Sequence, residues 1–250
     1  RKPSLLFRAL LAVVVLVPLV VILLLKLFHL PPEVTTGLAL LAAAPGAPLT
    51  AKRSQMAGAR FRYSASFQLT LALLAVFITP LTLAIFASQF ELLAEKVRLL
   101  EVAKQVTIVQ FLPVSLGLLI QKFGSKFAEA LGQPLVLIAN GLFFLLVILL
   151  CIFGFPFMLK VWGLPMVAIA IMVVASLGIG HWLGGPEDDK RSILAISCIA
   201  RNVGLALFIA VLNDVEYLVV PTLLAYMILG SFIAVPYSIW NKRKFAQLPS

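Results

Sequence analysis

The stretch Ile196 to Ala210, ISCIARNVGLALFIA, sets an arginine, an asparagine and a glycine inside an apolar run. An arginine at bilayer depth costs at least ~2.5 kcal/mol on insertion scales, so a buried intramembrane charge is a pointer to function. Arg201 stays protonated, and its planar guanidinium takes a carboxylate in a two-pronged fork. It follows Arg191 by ten residues, about 15 Å of unbroken helix, which is a long way to reach for the interface. The chemistry on offer is recognition of an anion. The plainer alternative is that Arg201 pairs with a helix C-terminus or stretches to the membrane surface. Asn202 is expected to cap or line an interruption of the helix, or to bond a neighbouring helix. Gly204 is expected to permit close helix packing.

A second polar stretch, AAAPGAPLTAKRS (Ala42 to Ser54), has the same character. Pro45 and Pro48 each remove a backbone donor and Gly46 relaxes the turn, so a continuous helix is not expected. Lys52 and Arg53 read as a cytoplasmic cluster with Arg60 and Arg62; the sharper reading lets one of them reach the polar site. The two stretches are alike upstream, PEVTTGLALLAAAPG from Pro32 and PEDDKRSILAISCIARN from Pro186. The number of spans from one to the other is odd, so the two cross in opposite directions. Inverted repeats with interrupted helices in matching positions point to a transporter site near the midplane. Helix N-termini there attract anions, and C-termini attract cations or donors. The bland alternative is two ordinary kinks in a bundle.

Other chemistries fare worse. All ten acids, Glu33, Glu187 and Asp214 among them, fall outside the middle of the spans. An intramembrane carboxylate that couples Na⁺ or H⁺ therefore cannot be built, and neutral oxygens hold Na⁺ only weakly. His29 and His181 are too far apart for a metal site, and none is expected. Cys151 and Cys198 read as small apolar residues. Gln68, Gln110 and Asn140 line a cavity or bond between helices. No nucleophile stands beside a base, and an enzyme is not expected.

These residues must be positioned by membrane helices. Of 250 residues 62% are hydrophobic and 12% charged, with mean hydropathy +1.10. A soluble domain would be about a quarter charged. About eight spans are expected, near 8–28, 32–58, 62–89, 100–123, 133–156, 160–183, 190–212 and 217–240. SQFELLAEKVRLLEVAK (Ser88 to Lys104) reads as an interfacial amphipathic stretch. With the N-terminus inside, 14 of the 20 Lys and Arg fall on the cytoplasmic side, five opposite, and Arg201 remains. Both termini are then cytoplasmic. The net charge of +10 is thereby a topology signal, and no nucleic-acid motif opposes that. The chain opens on Arg1 without a recognisable signal peptide, so it is expected to start partway through a longer protein.

The APG of Ala44 to Gly46, the TP of Thr79 and Pro80, the RNVGLA of Arg201 to Ala206 and the order of spans resemble the bile acid:sodium symporter family and its bacterial relatives. The resemblance runs from about Lys2 to Trp240. It implies a sodium/proton-antiporter-like fold, with two inverted five-helix repeats and broken, crossing fourth and ninth helices. The spans here would be helices three to ten, with equivalents of the first two missing. The implied organisation is one transmembrane transporter domain over 1–250. Its core covers about 32–89 and 190–240, and its panel-like helices about 8–28 (core or panel) and part of 100–183.

On that template the sodium-site positions fall at Val13, Thr50, Ala51, Ser64, Gln68, Ser197 and Arg201. The hydroxyls survive at Thr50 and Ser64. The family's asparagine, third-helix glutamine and key glutamate do not; Ala51, Val13 and Ser197 stand in their places. The resemblance implies substrate binding around Pro45, Gly46, Thr50, Ser197, Arg201 and Asn202. The expected function is alternating-access transport of a small organic anion across a bacterial inner membrane. Sodium coupling would be weak or absent and no cofactor required. The partners are the anion and the lipid bilayer, with no nucleic acid. Alternatives are a sodium-coupled organic-anion symporter and a non-transporting sensor or receptor domain on the same scaffold. A cation or metalloid exporter is disfavoured, because Arg201 would repel its cargo.

Overall fold

The computed structural model describes residues 3–47, 50, 54, 61–90, 98–158 and 161–246. Pro48, Ala51, Lys52, Arg53 and residues 91–97 of the expected interfacial stretch lie outside the described residues. The chain is an all-α, polytopic membrane protein, and no strand occurs among the described residues. Six described segments are long and apolar enough to cross a bilayer.

Helix α1 runs through Pro3–Leu10, a π-helical stretch Leu11–Leu16, and Val17–Leu27. Helix α2 is short, Pro32–Ala43, and stops where Ala44 to Ala47 leave helical geometry. The break expected from Pro45 and Gly46 is there, with Gly46 at φ +76°. The chain resumes in α3, Phe61–Gln89. Helix α4 again has three parts: Leu99–Val106, a π-helical Thr107–Phe111, and Leu112–Phe123. Then come α5, Ser125–Met158, and α6, Leu164–Leu183. The expected span at 190–212 is two helices, α7 (Asp188–Ile199) and α8 (Val203–Leu212), parted by Ala200 to Asn202. Helix α9, Glu216–Ala246, closes the described chain.

Burial explains why α7 tolerates a polar composition. Ser192 through Arg201 are buried without interruption, so this helix faces protein rather than lipid. Asp188 and Asp189 sit in its first turn, where the helix dipole favours negative charge. Its backbone approaches α6 closely at Gly180, where a Cβ would come within 2.6 Å of Ala195 Cα. The last part of α4, Leu112–Phe123, buries none of its residues. Among the described residues, buried polar side chains concentrate on α3 (Ser64, Gln68, Thr79, Thr82) and on α7 with the break after it (Ser192, Ser197, Arg201, Asn202).

Candidate functional site

The two breaks meet. The Asn202 N–H donates to the Ala44 carbonyl at 2.9 Å, so the irregular backbone of one break satisfies that of the other. The second break is a pair of tight turns. Ala200 (φ −83°, ψ 84°) and Asn202 (φ −79°, ψ 80°) lie near the inverse γ-turn minimum. The matching bonds run from Arg201 N–H to Ile199 O and from Val203 N–H to Arg201 O, both 3.0 Å. The Asn202 side chain then caps α8, accepting from the Leu205 N–H at 3.0 Å. Capping is one of the two roles expected for Asn202; the other, a bond to a neighbouring helix, is made as well, through Nδ2 to Gln110 Oε1 of α4.

Arg201 is buried at 3% exposure and does not reach the membrane surface. Both terminal nitrogens of its guanidinium donate to the Val13 carbonyl at 3.1 Å. The register of α1 explains why that carbonyl is free. In π geometry each N–H reaches back five residues, as Val17 does to Ala12. The next donor in line is residue 18, a proline with no N–H. Val13 is left without a backbone partner in that register, and Arg201 supplies one. The Arg201 Nε has no partner among the described residues. Tyr226 stands beside the guanidinium and donates its hydroxyl to the Ile199 carbonyl at 2.7 Å. It thereby satisfies one of the last carbonyls of α7.

A cavity of about 550 Å³ opens on this side of the second break. Arg201 and Tyr226 border it at the break, Lys242 lies on its wall sixteen residues along α9 from Tyr226, and Phe144 of α5 faces them. Among the described residues its lining holds two cations and no acid. Sixteen residues of helix span about 24 Å, so the cavity is elongated along α9.

The first break has a different chemistry. Gln68 of α3 donates to the Ser197 hydroxyl of α7 at 2.9 Å. Its other amide atom, Oε1, is buried without a partner among the described residues, as are Thr50 Oγ1, Ser54 Oγ and Ser64 Oγ. A Cβ built on Gly46 would lie 3.5 Å from Gln68 Oε1, so this oxygen points to the break. Pro45 is buried beside it. Among the described residues no three His, Cys, Asp or Glu side chains gather as for a tightly held metal.

The structure thus pairs Val13 with Arg201, Gln68 with Ser197, and Asn202 with the first break. One reading changes, one pair of alternatives is decided, and two residues are new. Gly204 does not serve helix packing: it is exposed, and an added Cβ would meet only Asn202 Oδ1, at 3.6 Å. Gln68 and Gln110 make interhelical hydrogen bonds. Tyr226 and Lys242 went unseen in the sequence, the first as one aromatic among many, the second as a topology residue.

A model of the sodium bile acid symporter family matches residues 1–161, well over half of the chain. The chain belongs to the sodium bile acid symporter family. It is a membrane transport protein. The match takes in the first break and ends before the second. A search of the curated proteins found no match. The family's name implies sodium, and the donor set can be tested for it. The orphaned oxygens of Thr50, Ser64 and Gln68 are of the hard, neutral kind that suits an alkali cation. The position at Val13 and Arg201 does not fit one, because a guanidinium already holds the carbonyl there.

Proposed function

We propose that this family member carries an organic anion by alternating access and that Arg201 is the anion's fixed counter-charge. The observation that carries the reading is the elongated cavity bounded by Arg201 and Lys242, with no acid among the described residues of its wall. An apolar cavity of this size with a few polar groups at its ends is what a small ligand needs. A carboxylate at the break would meet the unpaired Arg201 Nε and the neighbouring Tyr226. In such a site the charge that sodium contributes in a coupled symporter is built into the chain, so sodium dependence is weak. Movement of the two joined breaks against the remaining helices would expose the cavity to each side in turn. The proposed setting is a bacterial inner membrane with both termini cytoplasmic, as the Lys and Arg distribution favours.

A second reading has one observation behind it. The orphaned oxygens of Thr50, Ser64 and Gln68 suit a single Na⁺, which would make the protein a sodium-coupled symporter of lower stoichiometry. Counterflow in liposomes decides the main reading. A panel of carboxylates and keto acids, bile acids included, is loaded inside and exchanged for a labelled member, with and without Na⁺. Exchange of at least one anion supports it; exchange of cations alone, or of nothing on the panel, counts against it.

A further inference from the structure

Among the described residues, one side chain of α4 hydrogen-bonds to the second break. Gln110 sits in the π-helical stretch Thr107–Phe111, and it is the buried residue of that stretch. Pro113 follows, so α4 repeats the arrangement of Pro18 behind the π-helical part of α1. The Gln110 Nε2 donates to the Ala72 carbonyl of α3 at 3.1 Å, and its Oε1 accepts from Asn202 Nδ2 at 3.0 Å. Both amide orientations are thereby fixed. Flipping Gln110 would set its Oε1 against the Ala72 carbonyl and its NH₂ against that of Asn202. Flipping Asn202 would turn its NH₂ toward the Leu205 N–H that it now caps. Asn202 is held at four points: by Ala44 through its N–H, by Ala206 through its carbonyl, by Leu205 through Oδ1 and by Gln110 through Nδ2. Only the last comes from α4, whose following segment, Leu112–Phe123, is unburied.

We infer that Gln110 is the positioning residue of the second break and that its bond to Asn202 is a latch by which α4 holds the break closed. The inference takes the second break as the working site, as proposed above, but its test uses no cargo. Cys198, one turn before Asn202, is a buried free thiol and reports opening of the break. In the full chain carrying Cys151→Ser, its modification by a small methanethiosulfonate is timed in detergent, together with the thermal unfolding midpoint. Gln110→Leu removes the acceptor, and Asn202→Ser removes the donor while keeping a capping oxygen. Each should raise the labelling rate about fivefold with the midpoint little changed, as loss of one net hydrogen bond shifts a local opening. The double variant should label no faster than Gln110→Leu, since the bond that Asn202→Ser breaks is already gone. Gln110→Glu keeps an acceptor for Asn202 and, with its carboxyl protonated in this buried place, a donor for the Ala72 carbonyl, so it should label at the parental rate. The latch is overturned if Asn202→Ser labels at the parental rate, if Gln110→Glu opens as far as Gln110→Leu, or if the two single effects multiply. Should Gln110→Leu fail to fold, Asn202→Ser and Gln110→Glu still decide the matter. Failure of anion exchange in liposomes would leave these rates untouched, so the two readings fall separately.

Discussion

The two breaks share a construction and differ in what they leave over. Each interrupts a short helix after about three turns, and each contributes one half of the Ala44–Asn202 bond. At the first break, around Pro45 and Gly46, the Gln68 amide oxygen has no partner among the described residues. The second carries a permanent cation, and that cation is held by the carbonyl that Pro18 leaves free in α1. Orphaned buried oxygens are costly unless something positive or a donor completes them. A buried guanidinium is costly unless acceptors surround it. One break is therefore short of positive charge and the other supplies it. The two breaks therefore differ in charge, and under the proposed function it is the second that attracts the anion.

The largest expected effect comes from removing that charge. Arg201→Gln should weaken anion affinity about tenfold to hundredfold, the range for losing a hydrogen-bonded charge partner. Lys126→Gln, on the exposed first turn of α5, should leave affinity unchanged. Concentration dependence of liposome uptake separates the two, and equal small effects of both would make Arg201 a structural residue. Pro18→Ala should act next most strongly. It returns an N–H to α1 that competes with Arg201 for backbone carbonyls and relieves the clash that widens the helix. Affinity should fall by less than in Arg201→Gln, and the double variant should be no weaker than Arg201→Gln alone.

The first break was legible because proline and glycine announce it. Pro45 and Gly46 say the same thing in any context, and the structure ends α2 two residues earlier. The second has no proline or glycine between Ile199 and Asn202, and only the buried Arg-Asn pair gave it away. What supports that pair was not legible. Pro18 and Pro113 lie unremarked in apolar runs, whereas the register shift they accompany sets the Val13 carbonyl and the Gln110 amide on the break. A hydrogen bond between residues 188 positions apart leaves no trace in either local sequence. Lys242 could be counted toward topology without revealing that one face of α9 lines a cavity with it. Gly204 misled for the opposite reason: small residues in membrane helices often mark packing, and this one lies open.

Glycine substitutions sharpen the contrast at a smaller scale. Gly46 sits at φ +76°, and its added Cβ would lie 3.0 Å from Leu71 Cβ. Gly46→Ala should destabilise the protein by about 1–3 kcal/mol, read as a lower thermal midpoint in detergent. Gly204→Ala meets no backbone and replaces a helix-weakening residue, so its midpoint should hold or rise. A Gly204→Ala midpoint that falls as far as that of Gly46→Ala would mean that the second break is packed as tightly as the first.

The smallest effect should come from sodium. With Arg201 in place, replacing external Na⁺ by choline should lower initial anion uptake by no more than about twofold, because neutral oxygens alone bind a monovalent ion weakly in competition with water. Thr50→Ala and Ser64→Ala should erase whatever stimulation remains, since each deletes an oxygen that has no partner among the described residues. Arg201→Gln should turn the dependence upward, because a site stripped of its own cation gains more from an added one. The order of these results separates the breaks. If choline abolishes uptake in the parent and Thr50→Ala does the same in sodium, the first break is the coupling site and its charge comes from the ion. If uptake persists in choline and disappears only with Arg201, the charge resides in the second break.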